Sequence, residues 1–394
     1  KVGILAAIGS FAGSALGAHI VLLLSGLLLP LRGLMYLLLA RRRGNRPGRM
    51  SVLLAAVELL LGAGLLLLPQ LSVRLFAVVV AVYLTLLVTV EAVNAILYGR
   101  MRRWGAFFPA MAAAVGGTGL FVLIVFVPAL RDAALRYTAA LLLTVFGTGL
   151  VCDVLALTIR SRRVRRVLGS IRVALPDLMS LFLPQRTADV LPRAPLGPVP
   201  QQGTEEFELL FQTSAHGIGL VGHCELCFDG WTLTYGAYDP AHQRLLRTMG
   251  AGIVFSAPRE PYLRWCIGTH HRRVISYSLR LPPAQAAQLR AELESFRQTL
   301  SPWQPEALPE DCFAGRLHRL GGVRFWRVQR GPYATYFIPT INCVSLTNKL
   351  LEKTDIGRTV MLGLKTPGAY LDLLEREYLA GNPAVTARRV YDKI

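Results

Sequence analysis

Long apolar runs occupy residues 2–16, 18–40, 51–68, 73–98, 105–128 and 135–159, and several reach the roughly 20 residues a helix needs to cross a bilayer. From about residue 203 the pattern changes to short segments. "EFELLFQTS" (Glu206–Ser214) alternates and predicts a strand. "GLVGHCELCFDG" (Gly219–Gly230) predicts another, with Asp-Gly as the hairpin turn into "WTLTYGAYDP". "RRVISYSLRL" (Arg272–Leu281) is a further strand, followed by "PPAQAAQLRAELESFRQTL", which places Leu289, Leu293, Phe296 and Leu300 on one helical face. "VRFWRVQRG" and "YATYFIP" are short apolar stretches. "CVSLTNKLLEKTDIG" predicts a helix headed by Cys343, and "PGAYLDLLEREYLAG" one more. The order of strands, helix, short strands and helix is α+β.

The apolar runs repeat. "LLLSGLLLPLRGLMYLLLARRR", "VYLTLLVTVEAVNAILYGRMRR" and "LLLTVFGTGLVCDVLALTIRSRR" align at a spacing of about 60 residues, each ending in an arginine cluster. Proline marks the linkers "LLLLPQL" (Leu65–Leu71) and "FVPAL" (Phe126–Leu130). A membrane all-α bundle of about six helices, three repeated hairpins, is the expected architecture of residues 1–166. This pattern resembles the HdeD-like family of small six-span membrane proteins. Arg32, Glu91 and Asp153 stand out as ionisable residues inside the spans, at nearly equivalent repeat positions. Arg32 pairing with Glu91 or Asp153 at the bundle centre is expected, either as a structural pair or as a headgroup or proton site.

Composition agrees with this division. The chain is 53% hydrophobic and 17% charged, with a mean hydropathy of +0.43 and a formal net charge of +19. A charged fraction near 25% is usual for soluble domains. The arginines flank apolar spans instead of interleaving with aromatics, so lipid headgroups and topology account for them and nucleic acid is not an expected partner. Fourteen arginines (41–49, 100–103, 160–172) fall on one side of the spans against three (Arg74, Arg131, Arg136) on the other. The positive-inside rule makes the first side cytosolic in a bacterial-type cell membrane, and the C-terminal domain with it; an extracytoplasmic domain is the alternative. Residues 167–184 read as an interfacial amphipathic helix. With the proline-rich "VLPRAPLGPVPQQGTEE" they form a linker over 167–203, and a globular domain fills 204–394.

Cysteine at a helix N-terminus meets the positive end of the helix dipole and unpaired backbone N–H groups, which favour a thiolate and can hold an oxyanion. Cys343 is in that position, and among seven histidines His223, on a strand just before a hairpin, is the best-placed base. Cys224 and Cys227 form His-Cys-x-x-Cys, but they point to opposite faces of a strand and no second ligand pair follows, so no metal or other cofactor is expected.

The order of "GLVGHCELCFDGWTLTYGAYDP", "HHRRVISYSLRLPPAQAAQLRAEL" and "YFIPTINCVSLTNKLL" resembles the Lnb N-terminal domain family over roughly residues 206–355. In that family a Gly-His strand leads to Tyr-Gly-x-Tyr/Phe-Asp, and Asn-Cys opens a later helix. The resemblance implies a circularly permuted papain-like fold, akin to NlpC-type peptidases and lecithin:retinol acyltransferase. It also implies Cys343 as nucleophile, His223 as general base and acid, Asn342 as the residue before the nucleophile, and Tyr235 as the position of an orienting group. The expected activity is thiol acyl transfer or hydrolysis through a thioester. Membrane lipids would supply the acyl group, and a lipid, lipoprotein or amine would accept it. Leu220, Phe337 and Val344 are the expected apolar lining. NlpC-like cysteine amidase or peptidase chemistry, or a non-enzymatic membrane binding or scaffold role, are the alternatives.

Overall fold

A computed structural model describes residues 26–135 (apart from 28, 32, 39–40, 42–48 and 68), 137–138, 172–173, 183–196, 205–214, 221–304 (apart from 246), 312–354, 361–362 and 366–392 (apart from 380). They form two compact units, one helical and one α+β.

In the helical unit, α1 spans Arg49–Leu67, α2 Pro69–Arg100 and α3 Trp104–Phe126. The stretches Val80–Arg100 and Trp104–Phe126, each with mean hydropathy 2.0, are long and apolar enough to cross a membrane. They pack through Val80 and Leu84 against Ile124 and Leu135. Gly117 permits the approach, since a Cβ there would lie 2.9 Å from Val88. Val82, Leu86, Phe108 and Val115 point outward, where hydrocarbon would cover them. Several polar side chains of this unit bond to its own backbone, which suits an apolar surrounding. The Thr85 and Thr89 hydroxyls donate to the carbonyls of Ala81 and Thr85 at 2.8 and 2.7 Å. Arg131 donates to the Ile124 and Val125 carbonyls at 2.7 and 3.1 Å, closing the C-terminal end of α3. The six-helix count includes segments outside the described residues.

The α+β unit is built on an eight-stranded, wholly antiparallel sheet. A separate pair, β1 (Arg172–Val173) and β11 (Met361–Leu362), runs parallel. Of the expected interfacial helix over 167–184, only residues 172–173 and 183–184 fall among the described residues. At Arg172–Val173 the chain is extended, its β-branched valine suiting a strand, and Pro176 close behind would interrupt a helix.

The main strands are β2 (Glu206–Thr213), β3 (His223–Phe228), β4 (Trp231–Gly236), β6 (Ile253–Pro258), β7 (Arg273–Arg280), β8 (Leu300–Pro302), β9 (Arg324–Val328) and β12 (Val385–Tyr391). Their order is β12-β7-β2-β3-β4-β6-β9-β8, and β5 (Met249–Ala251) pairs apart with β10 (Thr335–Phe337). Leu300 therefore lies in β8 and not on the helix that ends at Arg297, Thr299 having closed it onto the Phe296 carbonyl. The Asp229–Gly230 turn has positive φ at both residues (49° and 78°), the type I′ geometry that Asp-Gly favours.

Helices cover both faces. On one face α4 (Leu183–Val190), α6 (Pro283–Arg297), α8 (Cys343–Leu350) and α9 (Pro367–Leu379) pack on Phe207, Leu209, Phe211, Leu226, Ile275 and Tyr277. On the other, α5 (Arg259–Gly268) and α7 (Phe313–His318) pack on Ile253, Phe255, Ala257 and Phe325. Burial on both sides explains why the middle of β2 is apolar at consecutive positions, Leu209, Leu210 and Phe211. Each such side chain contributes on the order of 1.5–3 kcal/mol by leaving water.

Candidate functional site

Asn342 decides where α8 begins. Its backbone is extended (φ −123°), and its side chain accepts the Ser345 N–H at 3.0 Å while the Ser345 hydroxyl accepts the Asn342 N–H at 2.9 Å. This reciprocal cap, a variant of the capping box, satisfies two of the free amides of the first turn. The Asn342 side-chain amide also donates to the Ile338 carbonyl at 2.6 Å. Asn342 thus holds Cys343 at the first helical position.

The Cys343 Sγ accepts the backbone N–H of Cys224 at 3.4 Å, and the Val344 N–H and the Tyr336 hydroxyl lie near enough to favour its charged form. The side chain is nearly fully buried. Burial pushes the thiol up to about 11, with the Glu225 carboxylate adding to the rise and those three groups opposing it. Desolvation outweighs them, so Cys343 rests as a protonated thiol near neutral pH.

The Cys224 N–H is open to the sulfur because the sheet forks there. β3 pairs with β4 only at Leu226↔Leu233, Cys227↔Thr232 and Phe228↔Trp231. Upstream, β3 continues along β2 as far as His223↔Gln212, and β4 continues along β6 as far as Gly236↔Ile253. The sulfur of Cys343 fills the mouth of this fork.

His223, Glu225 and Cys227 project from one face of β3, and Cys224 and Leu226 from the other, where Cys343 packs. The His223 Nε2 is 2.5 Å from Thr234 Oγ1, 3.2 Å from the Tyr238 hydroxyl and 3.9 Å from Glu225 Oε1. Burial first, then the Arg272 guanidinium, lowers this imidazole to about 3, so it is neutral at physiological pH. Burial raises the Glu225 carboxyl to about 7, against hydrogen bonds donated by Tyr262 at 2.6 Å and Gln212 at 2.7 Å. Among the described residues, the His223 ring and the Cys343 thiol share no hydrogen bond. The sulfur meets β3 at Cys224, the residue after His223, on the opposite face of the sheet from the imidazole.

The remaining expected residues separate. Tyr235 does not orient His223, because strand alternation turns it to the Cys343 face. Its hydroxyl donates to the carbonyls of Tyr333 and Thr335 at 2.8 and 3.2 Å, and its ring packs on Tyr333 and Tyr336. Thr234 takes that place beside His223, and the Asp-Gly turn signals it, since the turn sets the register that brings 225 opposite 234. Val344 is buried core, and Phe337 is buried in β10 opposite Met249. Leu220, Arg32 and Asp153 lie outside the described residues. Glu91 accepts from Asn94 on its own helix at 3.2 Å. Glu58, buried in α1, is an acid in an apolar helix that sequence reasoning passed over, although a lone carboxylate in the apolar run 51–68 is the same signal as Glu91. Cys224 and Cys227 sit in different cores, and no metal-binding cluster occurs among the described residues.

No family model, curated protein or solved structure gives a significant match to this chain.

Proposed function

We propose that this protein is a membrane-anchored thiol acyltransferase or hydrolase, with Cys343 as nucleophile and His223 as base. The observation that carries the reading is the Cys224 N–H donated to the Cys343 sulfur at 3.4 Å, with the Val344 N–H and the Tyr336 hydroxyl near enough to favour negative charge there. Donors gathered at a thiol can equally hold the oxyanion that forms when the thiol adds to an acyl carbonyl. The resting pair is neutral thiol and neutral imidazole, so general-base chemistry fits better than a preformed ion pair. In the active arrangement the His223 ring leaves Thr234 and turns through the unladdered fork towards the sulfur. His223 removes the S–H proton as the C–S bond forms, then returns it to the departing alcohol or amine. The thioester passes its acyl group to an amine, hydroxyl or water. The acyl donor is a membrane lipid.

The fold behind this reading is a permuted papain-like domain, supported by the chain order of histidine strand, tyrosine strand and cysteine helix and by the packing of α8 on β3. The membrane part is read as six spans in three HdeD-like hairpins with the α+β domain in the cytosol, supported by the two apolar helices and the arginine asymmetry.

The location of His223 on the face opposite Cys343, hydrogen-bonded to Thr234, favours a second reading: a binding protein whose thiol is a packing group. Intact-mass measurement of protein purified with native lipid separates the two. A hydroxylamine-sensitive acyl adduct on wild type and none on Cys343→Ala supports the enzyme. A wild-type mass that is unmodified before hydroxylamine and unchanged by it supports the binding protein.

A further inference from the structure

On the Cys343 face of the sheet, a groove of about 360 Å³ runs between α6 and the strands β4, β6 and β9. That volume lies within the range of small-molecule sites, about 300–1,000 Å³. Its floor is aromatic and aliphatic: Phe228, Trp231, Leu233, Leu293, Phe296 and Trp326. Trp231 is 41% exposed, a large apolar surface left uncovered at the groove.

Three arginines stand on the lining, and they are not alike. Arg290 lies over the Phe228 ring at 4.8 Å and reaches Asp229 at 3.3 Å, and Arg297 pairs with Glu294 at 3.6 Å. Arg324, exposed on β9, has no carboxylate partner among the described residues. The groove therefore joins an apolar trough to one cation that is uncompensated among the described residues. Phe296, on its wall, touches Tyr333 at 6.2 Å between ring centres. Tyr333 touches Tyr235 at 5.7 Å, Tyr235 touches Tyr336 at 5.2 Å, and the Tyr336 hydroxyl lies near the Cys343 sulfur. Tyr333 sits two residues after Gly331, whose positive φ of 86° sets the bend of the loop that carries the ring.

The geometry points to this groove as the binding site for the hydrocarbon chain of an anionic amphiphile, with Arg324 holding the acidic head and Tyr333 standing between the chain and Cys343. The assignment goes beyond the thiol chemistry proposed above, and the binding does not need the thiol. A nucleotide, which could stack on the tryptophans and pair with the arginines, is the competing occupant. The continuous apolar floor and a single uncompensated charge favour the amphiphile.

The test uses the full chain in phosphatidylcholine nanodiscs with a diazirine-bearing palmitate, followed by peptide mapping of the photolabel. Label is expected on the groove peptides around residues 228–233, 290–300 and 324–326. Excess palmitate should remove it, and hexadecanol should compete about tenfold less well, the scale of one charge-assisted hydrogen bond. Leu293→Arg should abolish groove label. Arg324→Glu, a change at an exposed position, should weaken palmitate competition about tenfold and erase the preference over hexadecanol. Cys343→Ala should label as wild type does. Label confined to the membrane helices overturns the proposal, as does groove label indifferent to both Leu293→Arg and Arg324→Glu, or competition by ATP stronger than by palmitate. Groove label in Cys343→Ala together with no acyl adduct on wild type leaves the groove standing and removes the enzyme.

Discussion

The Cys343 sulfur accepts the backbone N–H of Cys224 at 3.4 Å, at the point where β3 and β4 part company and one residue beyond His223. That contact fixes the nucleophile candidate against the strand that carries the base candidate, while the pleat sends the imidazole to the other side. The two residues of the proposed thiol chemistry are therefore held on opposite sides of the sheet.

Alkylation reads this state directly. With the thiol raised to about 11, the reactive thiolate fraction of Cys343 should grow about tenfold for each pH unit from 7 to 10 and show no plateau near neutrality. The sign follows from protonation: a raised pKa keeps the unreactive form dominant below it. Cys312, half-buried where Cys224, Cys227, Cys266 and Cys343 are buried, should react before them. Quantitative mass spectrometry with iodoacetamide between pH 6 and 10 provides the profile. A plateau for Cys343 below pH 8 would mean that the thiolate is already formed at rest.

Asn342 is a cap first. Asn342→Ala removes the acceptor for the Ser345 N–H and should cost about 1 kcal/mol of domain stability, whereas Asn342→Asp or Asn342→Ser should retain most of it. Denaturant midpoints of the three variants decide this. Equal stability for Asn342→Ala and wild type would leave the side chain free for a catalytic role.

How much of this was legible in the sequence depended on whether local chemistry alone set the outcome. The Asp229–Gly230 hairpin, the strand Arg273–Arg280 and the start of α8 at Cys343 follow from turn preference, alternation and capping. The polar layer of Gln212, Glu225, Tyr262 and Arg272 did not, because it is assembled from strands and a helix up to 60 residues apart. The buried pair of Arg259 and Glu208 was hidden for the same reason: a charged residue on an interior strand reads as exposed until its partner is known. The faces of His223 and Cys343 were partly legible, since the register set by the Asp-Gly turn places Thr234 and not Tyr235 beside His223.

The membrane reading makes a topological prediction. A fluorescent reporter fused after residue 200 should fluoresce, and an alkaline phosphatase fused there should be inactive, because the arginine-rich loops are retained in the cytosol. Active phosphatase would reverse the orientation and move the acyl acceptor to the outer side.

Gly252 guards the aromatic wall behind the thiol. A Cβ there would collide with the Tyr333 carbonyl and lie 3.0 Å from the Tyr235 ring. Gly252→Ala should destabilise the domain by about 1–3 kcal/mol and loosen Tyr235 from its two carbonyl acceptors. Thermal unfolding measures the first effect. An unchanged melting temperature would show that the loop Gly331–Ala334 yields at no cost, which would itself make Tyr333 a mobile gate.

Thr234 is the most informative single position. If His223 must leave the Thr234 hydroxyl to reach the sulfur, that 2.5 Å hydrogen bond holds the site in its resting arrangement. Thr234→Val preserves shape and deletes the bond, so the cost of releasing the ring should fall by about 1 kcal/mol. Thiol reactivity of Cys343 near pH 7 should then rise about fivefold, and adding His223→Ala should cancel the gain. Tyr238→Phe, which removes the longer 3.2 Å contact, should do the same to a smaller degree. The double-variant comparison matters because a general loosening of the core would speed alkylation whether or not the histidine is present. A fivefold gain that survives His223→Ala would place the effect in access alone. A loss of reactivity in Thr234→Val would instead make Thr234 the residue that positions the base.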